Sequence, residues 1–163
     1  MSISPLLPPS KYLWFIPDFA PWWFIIDHIR PLARVMEERN IPNLHEHLRR
    51  FLHDQLNEDL EMGADMPLED CPELPVDTRI SVFHAAVATF YAPSEQAGPG
   101  GMHRELIRCS PRWYGDRARY DTILVKTDDE APGMLGMTVG RVRMFLSFVF
   151  DYIQYRCAFV EWF

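Results

Sequence analysis

The clearest structural signal in this chain lies at residues 138 to 150, which read TVGRVRMFLSFVF. One set of alternate positions is entirely apolar: Val142, Met144, Leu146 and Phe148. The other set mixes apolar with polar residues: Val139, Arg141, Arg143, Phe145, Ser147 and Val149. Successive side chains of a β-strand point to opposite faces of a sheet. The pattern therefore predicts a strand with one deeply buried face.

Three further segments extend this signal to a sheet. YDTILVK (120 to 126) and QYRCAFVEWF (154 to 163) are rich in β-branched and aromatic residues, and Asp151 to Ile153 predicts a short hairpin before the second of them. RISVFHAAVATFYAP (79 to 93) favours a strand buried on both faces, although its alanines leave a helix open. Together these segments predict an antiparallel sheet or a small open β-barrel.

The first third of the chain predicts helices. From Pro21 onwards, apolar residues follow helical spacing: Trp22, Ile25, Ile26, Ile29, Leu32, Ala33 and Met36. Pro31 is expected to kink or divide this helix. A second helix is expected after Asn43, with Glu46 completing a capping box. Its apolar stripe is Leu44, Leu48, Phe51, Leu52 and Leu56, and its solvated face is Glu46, Arg49, Arg50 and Asp54.

These elements define the expected organisation. The chain has 163 residues, of which 48% are hydrophobic, and this suits a single domain with a substantial core. The predicted fold class is α+β, with N-terminal helices (1–57) packed on a C-terminal β-rich part (79–163). Residues 58–78, which are acidic and contain three prolines, are expected to form a connector between the two.

Charge is distributed unevenly. The formal net charge is −7; residues 1 to 101 carry 15 acidic and 7 basic side chains, and residues 102 to 163 carry 8 and 9. Within the second half, a run of five arginines is interleaved with aromatic residues: Arg104, Arg108, Arg112, Trp113, Tyr114, Arg117 and Arg119. A bulk negative charge opposes nonspecific attraction to nucleic acid, but a local patch still acts within about one Debye length, roughly 8 to 10 Å.

Two interpretations of this arginine run are open. In the first, it binds nucleic acid: Arg104 and Arg108 share one face of a strand, the other arginines follow in a loop, and Trp113 or Tyr114 stacks on a base. In the second, Trp113 covers the barrel and the arginines pair with acids of the first half: Glu69, Asp70, Glu73 or Asp77. The surplus of carboxylates in the first half favours the second interpretation.

The apolar N-terminal segment YLWFIPDFAPWWFII (12 to 26) is broken by Pro17, Asp18 and Pro21, and is shorter than the roughly 20 apolar residues of a spanning helix. No secretory signal is recognisable. An intracellular protein, nuclear or cytoplasmic, with no membrane contact is therefore expected. The segment's aromatic residues are candidates for contact with a protein partner or a second copy of the chain: Trp14, Phe15, Trp22, Trp23 and Phe24.

No combination of residues predicts catalysis, a metal or a cofactor. TDDE (127 to 130) is typical of a solvated turn, and at 100° per residue His45, His47 and His53 do not converge on one ion. Cys109 lacks a known cysteine signature, although His84 or His103 could approach it, and GPGG (98 to 101) is not followed by a Lys-Ser/Thr pair. Three separated cysteines favour reduced, buried thiols. The expectation is therefore a protein that is not an enzyme.

Several long stretches resemble a known family. VFHAAVATFYAPSEQAGPGGMHRELIR, SPRWYGDRARYDTILVKTDDEAPGMLGMTVGRVRMFLSF and YRCAFVEWF are similar to a C-terminal region of transposon-derived proteins from mushroom-forming fungi, of the Plavaka type within the CACTA-like transposases. The similarity covers residues 41 to 163.

The family carries its DNA-cleaving acids in a separate upstream domain, which is not recognisable here. The resemblance therefore implies a noncatalytic protein-interaction or accessory module, expected to be a solitary or truncated derivative of longer relatives. The alternative is a nucleic-acid-binding module that uses the arginine run at 104–119.

Overall fold

The strands predicted in the second half form one antiparallel sheet in the computed structural model, which describes residues 13–15, 23–57, 66–91, 102–126, 128 and 130–163. The strands are β1 (Leu13–Phe15), β2 (Trp23–Pro31), β3 (Arg79–Tyr91), β4 (Met102–Tyr114), β5 (Arg117–Tyr120), β6 (Thr122–Lys126), β7 (Met137–Phe150) and β8 (Ile153–Trp162). The helices are α1 (Leu32–Arg39) and α2 (Leu44–Leu56). Short 3-10 turns occupy Leu68–Asp70 and Gly133–Gly136. The predicted α+β class is confirmed.

The sheet has the strand order β1-β8-β7-β3-β4-β5, with β2 paired to β3 and β6 paired to β7. It is an open sheet and not a closed barrel, so the antiparallel sheet is the correct one of the two predicted forms. β7 and β8 form its longest hairpin, with Phe150 opposite Ile153. The intervening Asp151 and Tyr152 both have positive φ, of 47° and 62°, as a two-residue hairpin turn of type I′ requires.

Two hydrophobic clusters lie on the two faces of this sheet. On one face, α1 and α2 cover β3, β7 and β8 through a buried cluster: Leu32, Val35, Leu44, Leu48, Phe51, Leu52, Leu74, Ile80, Val82, Met144, Leu146, Phe148, Tyr155, Cys157 and Phe159. The other face buries a second cluster: Ala86, Ala88, Ile107, Cys109, Val142, Phe145, Ala158 and Val160. The sheet therefore separates two cores.

A β-bulge explains how β7 contributes to both cores. Val142 pairs with Val160 and Met144 pairs with Phe159, so Arg143 is an extra residue on β7. The bulge changes the parity of the strand at this point. Val142 consequently lies in the second cluster, whereas Met144 and the alternate positions after it lie in the helix-covered cluster. The predicted single face for all four positions is wrong for Val142, and the strand is buried on both sides.

The helix predicted from Pro21 to Met36 is wrong over most of its length. Trp23–Pro31 forms β2, which pairs with β3, and only Leu32–Arg39 is helical. Pro31 ends the strand opposite Arg79 and precedes the first helical residue, where its missing N–H removes no helical hydrogen bond. The described residues of this part, 13–15 and 23–57, are therefore a mixture of strands and helices.

The second predicted helix is confirmed, but two of its details are not. Asn43 stands at the N-cap of α2 without a side-chain hydrogen bond, so the capping box does not form. The helix face that was expected to be solvated instead binds the connector. Arg49 donates to the carbonyl oxygens of Leu68, Cys71 and Pro72, and Arg50 donates to that of Met66. Among the helices of the described ranges, none has the length and apolarity needed to cross a membrane.

Candidate functional site

The seven residues of the arginine run lie on the β4–β5 hairpin and are called here the arginine–aromatic surface: Arg104, Arg108, Arg112, Trp113, Tyr114, Arg117 and Arg119. The prediction that Arg104 and Arg108 share a strand is confirmed. The predicted loop for the other arginines is wrong, since β4 continues to Tyr114 and β5 begins at Arg117. The tip is a two-residue turn in which Gly115 has a φ of 62°. Glycine adopts this left-handed conformation at little cost, as a tight hairpin turn demands.

Trp113 lies in a β-bulge near the tip of the hairpin. Ser110 pairs with Arg119 and Tyr114 pairs with Arg117, so three residues of β4 face one residue of β5. Pro111 lies within this bulge, a position where a residue without an N–H is tolerated in a sheet. The Ser110 hydroxyl donates to the carbonyl oxygen of Arg112 at 2.7 Å and accepts from the Arg112 N–H at 3.3 Å. These two bonds fix the irregular backbone.

Trp113 packs against two arginines. The guanidinium carbon of Arg108 lies 4.8 Å from the centroid of the indole, and that of Arg119 lies 5.2 Å from it. Both distances are within the range of a cation–π interaction. Trp113 is still 49% exposed, but its ring is occupied by these two cations. The prediction that Trp113 covers a barrel is wrong.

Asp121 anchors this cluster to the sheet. One of its carboxylate oxygens accepts the Arg108 N–H at 2.8 Å, and the other accepts from Nε of Arg119 at 2.9 Å. Its own N–H donates to the Arg108 carbonyl, and its carbonyl accepts from the N–H of Val142 on β7. Asp121 therefore joins β4 to β7 at the point where β5 passes into β6. Its role is not visible in the sequence, where it is one acid among many.

The outer arginines of the surface are exposed. Arg104, Arg112 and Arg117 are all exposed, and Tyr114 is 84% exposed. Within the described ranges, none of these arginines forms an ion pair with Glu69, Asp70, Glu73 or Asp77, so that predicted pairing is wrong. The acid that is used is Asp121, two residues from Arg119. The surface therefore retains a local excess of positive charge.

The aromatic residues of the N-terminal segment belong partly to the sheet. In β1, Trp14 pairs with Ala158 and Phe15 pairs with Cys157. In β2, Trp23 pairs with Val87 and Phe24 pairs with Ala86. Trp22 and the side chains of the other four lie outside the described part of the chain. Their proposed contact with a partner stays a prediction, but the helical setting expected for Trp23 and Phe24 is replaced by backbone pairing in a strand.

A second exposed surface was missed by the sequence analysis. Leu124 pairs with Val139, and the Phe163 N–H donates to the Val139 carbonyl, so three apolar residues form a row across β6, β7 and the end of β8. They are 43%, 39% and 67% exposed, respectively. Because the bulge at Arg143 changes the strand parity, this apolar row continues the face that the helices cover further along β7. In the sequence, Val139 alternates with Arg141 and Arg143, so it was grouped with the mixed face of the strand and the row was not recognised.

The thiols considered for catalysis are buried, and the Asp128 carboxylate stabilises a turn. Burial raises the pKa of Cys109 to about 12, and its thiol donates to the Phe83 carbonyl oxygen at 3.3 Å. Burial also raises the pKa of Cys71 and of Cys157. Asp128 accepts from the N–H groups of Glu130 and Ala131, as a turn-forming acid does. In the described ranges, no three His, Cys, Asp or Glu side chains are placed to hold a metal ion.

Comparison of the chain with models of protein families, with curated proteins and with solved structures returns no match. The similarity to the Plavaka-type transposon proteins therefore stays a prediction.

Proposed function

We propose that this protein is a noncatalytic accessory module that binds nucleic acid through the arginine–aromatic surface. The observation that carries the proposal is the exposure of Arg112 and Arg117 beside Tyr114 at the hairpin tip, with exposed Arg104 further along β4. Within the described ranges, none of these arginines has the ion pairs to Glu69, Asp70, Glu73 or Asp77 that would have neutralised it. The guanidinium group is planar and grips a phosphate through two hydrogen bonds. The resemblance to transposon-derived proteins supports the same function.

The charge of the whole chain limits the strength of this binding. The net charge of −7 repels a polyanion, whereas the surface carries five arginines close to Glu105, Asp116 and Asp121. At physiological salt the local charges dominate, because charges more than about 8 Å away are largely screened. With about three free arginines contacting phosphates, the logarithm of the association constant should fall with the logarithm of salt concentration at a slope of roughly −2.

A noncatalytic role is supported by the thiols. A thiol acts as a nucleophile only as its thiolate. Cys109 has a pKa of about 12 and is fully buried, so it presents neither the thiolate nor access to a substrate at neutral pH.

A salt-titrated binding assay tests the proposal. We expect the native chain to bind a fluorescein-labelled oligonucleotide at 20 mM salt, and Arg112→Ala with Arg117→Ala to weaken the binding about tenfold or more. The matched control is Arg34→Ala with Arg79→Ala, which removes the same charge from exposed arginines outside the surface. Absence of binding at low salt, or an equal loss in both double variants, would contradict the proposal.

The apolar row favours a second candidate function, a protein-interaction module that self-associates. Leu124, Val139 and Phe163 expose adjacent apolar side chains on a face that elsewhere is covered by helices. Contiguous exposed apolar surface is typical of an interaction site. Size-exclusion chromatography with light scattering should then show a dimer at micromolar concentration, and Leu124→Ser with Phe163→Ser should convert it to a monomer. A monomeric native chain would decide against self-association.

A further inference from the structure

We infer that the arginine–aromatic surface takes single-stranded nucleic acid, with a base stacked on Tyr114 and the flanking phosphates held by Arg112 and Arg117. This inference rests on the proposed function, because it assigns the ligand class of the same surface. It also separates the roles of the two adjacent aromatic residues. Tyr114 contacts the ligand, whereas Trp113 positions Arg108 and Arg119.

The ring contacts distinguish Tyr114 from Trp113. The guanidinium groups of Arg108 and Arg119 already lie over the indole of Trp113, 4.8 and 5.2 Å from its centroid, so a base would compete with them for this ring. Within the described ranges, Tyr114 makes no ring or cation–π contact, and it is 84% exposed. A base therefore reaches the Tyr114 ring without disrupting the fold.

The hairpin register places a cation beside this ring. Tyr114 is directly opposite Arg117, and the side chains of such a pair lie on the same face with Cβ atoms about 4.5 to 5.5 Å apart. Despite this proximity, the guanidinium of Arg117 does not cover the ring. Within the described part of the chain, Arg117 also forms no ion pair. An aromatic face next to a cation is the combination that single-strand-binding proteins use for a base and its phosphate.

The energetics favour a single strand over a duplex. Stacking of one base on an aromatic side chain is worth about 1 to 3 kcal/mol, and it requires a base that is not already stacked between neighbours. A duplex offers no such base and would be bound by charge alone. The electrostatic contribution is available to both ligands, whereas the stacking contribution is available only to the single strand. The base-stacking contribution should therefore decide the ligand.

The test compares three fluorescein-labelled probes at 20 mM salt: a 12-nucleotide thymidine strand, an abasic strand of equal length, and a 12-base-pair duplex. The native chain should bind the thymidine strand about tenfold more tightly than either of the others. Tyr114→Leu should remove that preference, and Tyr114→Phe, which keeps the ring, should retain it. The arm with the abasic strand uses the native chain, so it does not depend on the folding of a variant.

The outcomes separate the inference from the proposed function. Equal affinity for the abasic and thymidine strands, or full retention of the preference in Tyr114→Leu, overturns the assignment of stacking to Tyr114. Tighter binding of the duplex overturns the ligand class while leaving nucleic-acid binding in place. Failure to bind any of the three probes overturns the proposed function itself.

Discussion

Gly140 is a residue whose lack of a side chain is required by packing. A Cβ atom at this position would overlap Cγ1 of Val160 and would lie 2.8 Å from Cε3 of Trp162. Both neighbours belong to β8, and Val160 is completely buried. The Trp162 ring thus packs directly against the backbone of Gly140.

Gly140→Ala should lower the free energy of unfolding by about 1 to 3 kcal/mol, the usual cost of overpacking a core. Urea denaturation followed by circular dichroism measures this change. Since the overlap is with Val160, the double variant Gly140→Ala with Val160→Ala should lose less than the sum of the two single variants. A Gly140→Ala midpoint equal to that of the native chain would show that the sheet accommodates a methyl group here.

The buried thiols predict both low reactivity and a dependence of stability on pH. At pH 8, a thiol-reactive disulfide reagent should label Cys71, Cys109 and Cys157 slowly in the native chain and rapidly in denaturant. An unfolded thiol has a pKa of about 8.5, whereas that of Cys109 is about 12 in the folded chain. Between these values the unfolded state binds fewer protons, so the free energy of unfolding should fall as pH rises from about 8.5 towards 12. Rapid labelling of native Cys109 would revive a nucleophilic role.

At the scale of elements, the corner where β5 passes into β6 at Asp121 joins β4 to β7. Asp121→Ala removes the acceptor of the Arg108 N–H and the partner of Arg119, so the free energy of unfolding should fall by about 1 to 3 kcal/mol. Asp128→Ala is the control, because the exposed Asp128 carboxylate accepts N–H groups of its own turn; its loss should cost roughly 0.5 to 1 kcal/mol. Chemical denaturation compares the two, and equal losses would remove the special role of the corner.

The connector is attached to α2 chiefly through Arg49. Its guanidinium donates to three carbonyl oxygens, of Leu68, Cys71 and Pro72, at 2.8 to 2.9 Å. Arg49→Ala should lower the free energy of unfolding by about 2 kcal/mol and speed proteolysis between residues 66 and 78. Arg34→Ala, at an exposed site on α1, should change neither. Unchanged proteolysis in Arg49→Ala would mean that other contacts hold the connector.

The error at β2 shows what the sequence could not supply. Ile25, Ile26 and Ile29 fit a helical stripe, yet they are β-branched residues that also suit a strand. The choice depends on whether β3 lies alongside, and that partner is about 55 residues further on. The strands β3, β6, β7 and β8 were predictable because each carries the signal on its own, whereas the end of β4 and β5 were expected to be a loop. α2 was predictable because its stripe is long and bounded by Pro42.

The residues of the candidate site could be predicted from the sequence, but their contacts could not, again because these depend on pairing between strands. The arginine run is visible in the sequence, but its partner was sought among the distant acids Glu69 to Asp77. The bulge at Pro111 and the turn at Gly115 instead bring Arg108 and Arg119 together around Trp113, with Asp121 beside them. Local charge counts do not reveal such cross-strand neighbours, because they depend on the register of the hairpin.

At the scale of the whole molecule, the sheet has a core on each face, and the helices cover only part of one of them. The bulge at Arg143 aligns the apolar row with the helix-covered face, so the row is a continuation of a core surface that no element of the described chain covers. The arginine–aromatic surface lies on a different hairpin. Binding of nucleic acid and self-association would therefore use separate surfaces and should not exclude each other.

The burial of β7 on both sides has a consequence for the stability of the chain against aggregation. Residues 144 to 150, MFLSFVF, carry no charge, proline or glycine, a composition that is prone to amyloid-like stacking when a strand edge is free. β8 pairs with β7 from Gly140 to Phe150 and blocks that edge. A chain ending at Tyr152 should form thioflavin-positive fibrils that the full chain does not form, and Leu146→Lys should suppress them. During synthesis the same edge stays open until β8 has left the ribosome, so this interval is when the protein is most dependent on a chaperone.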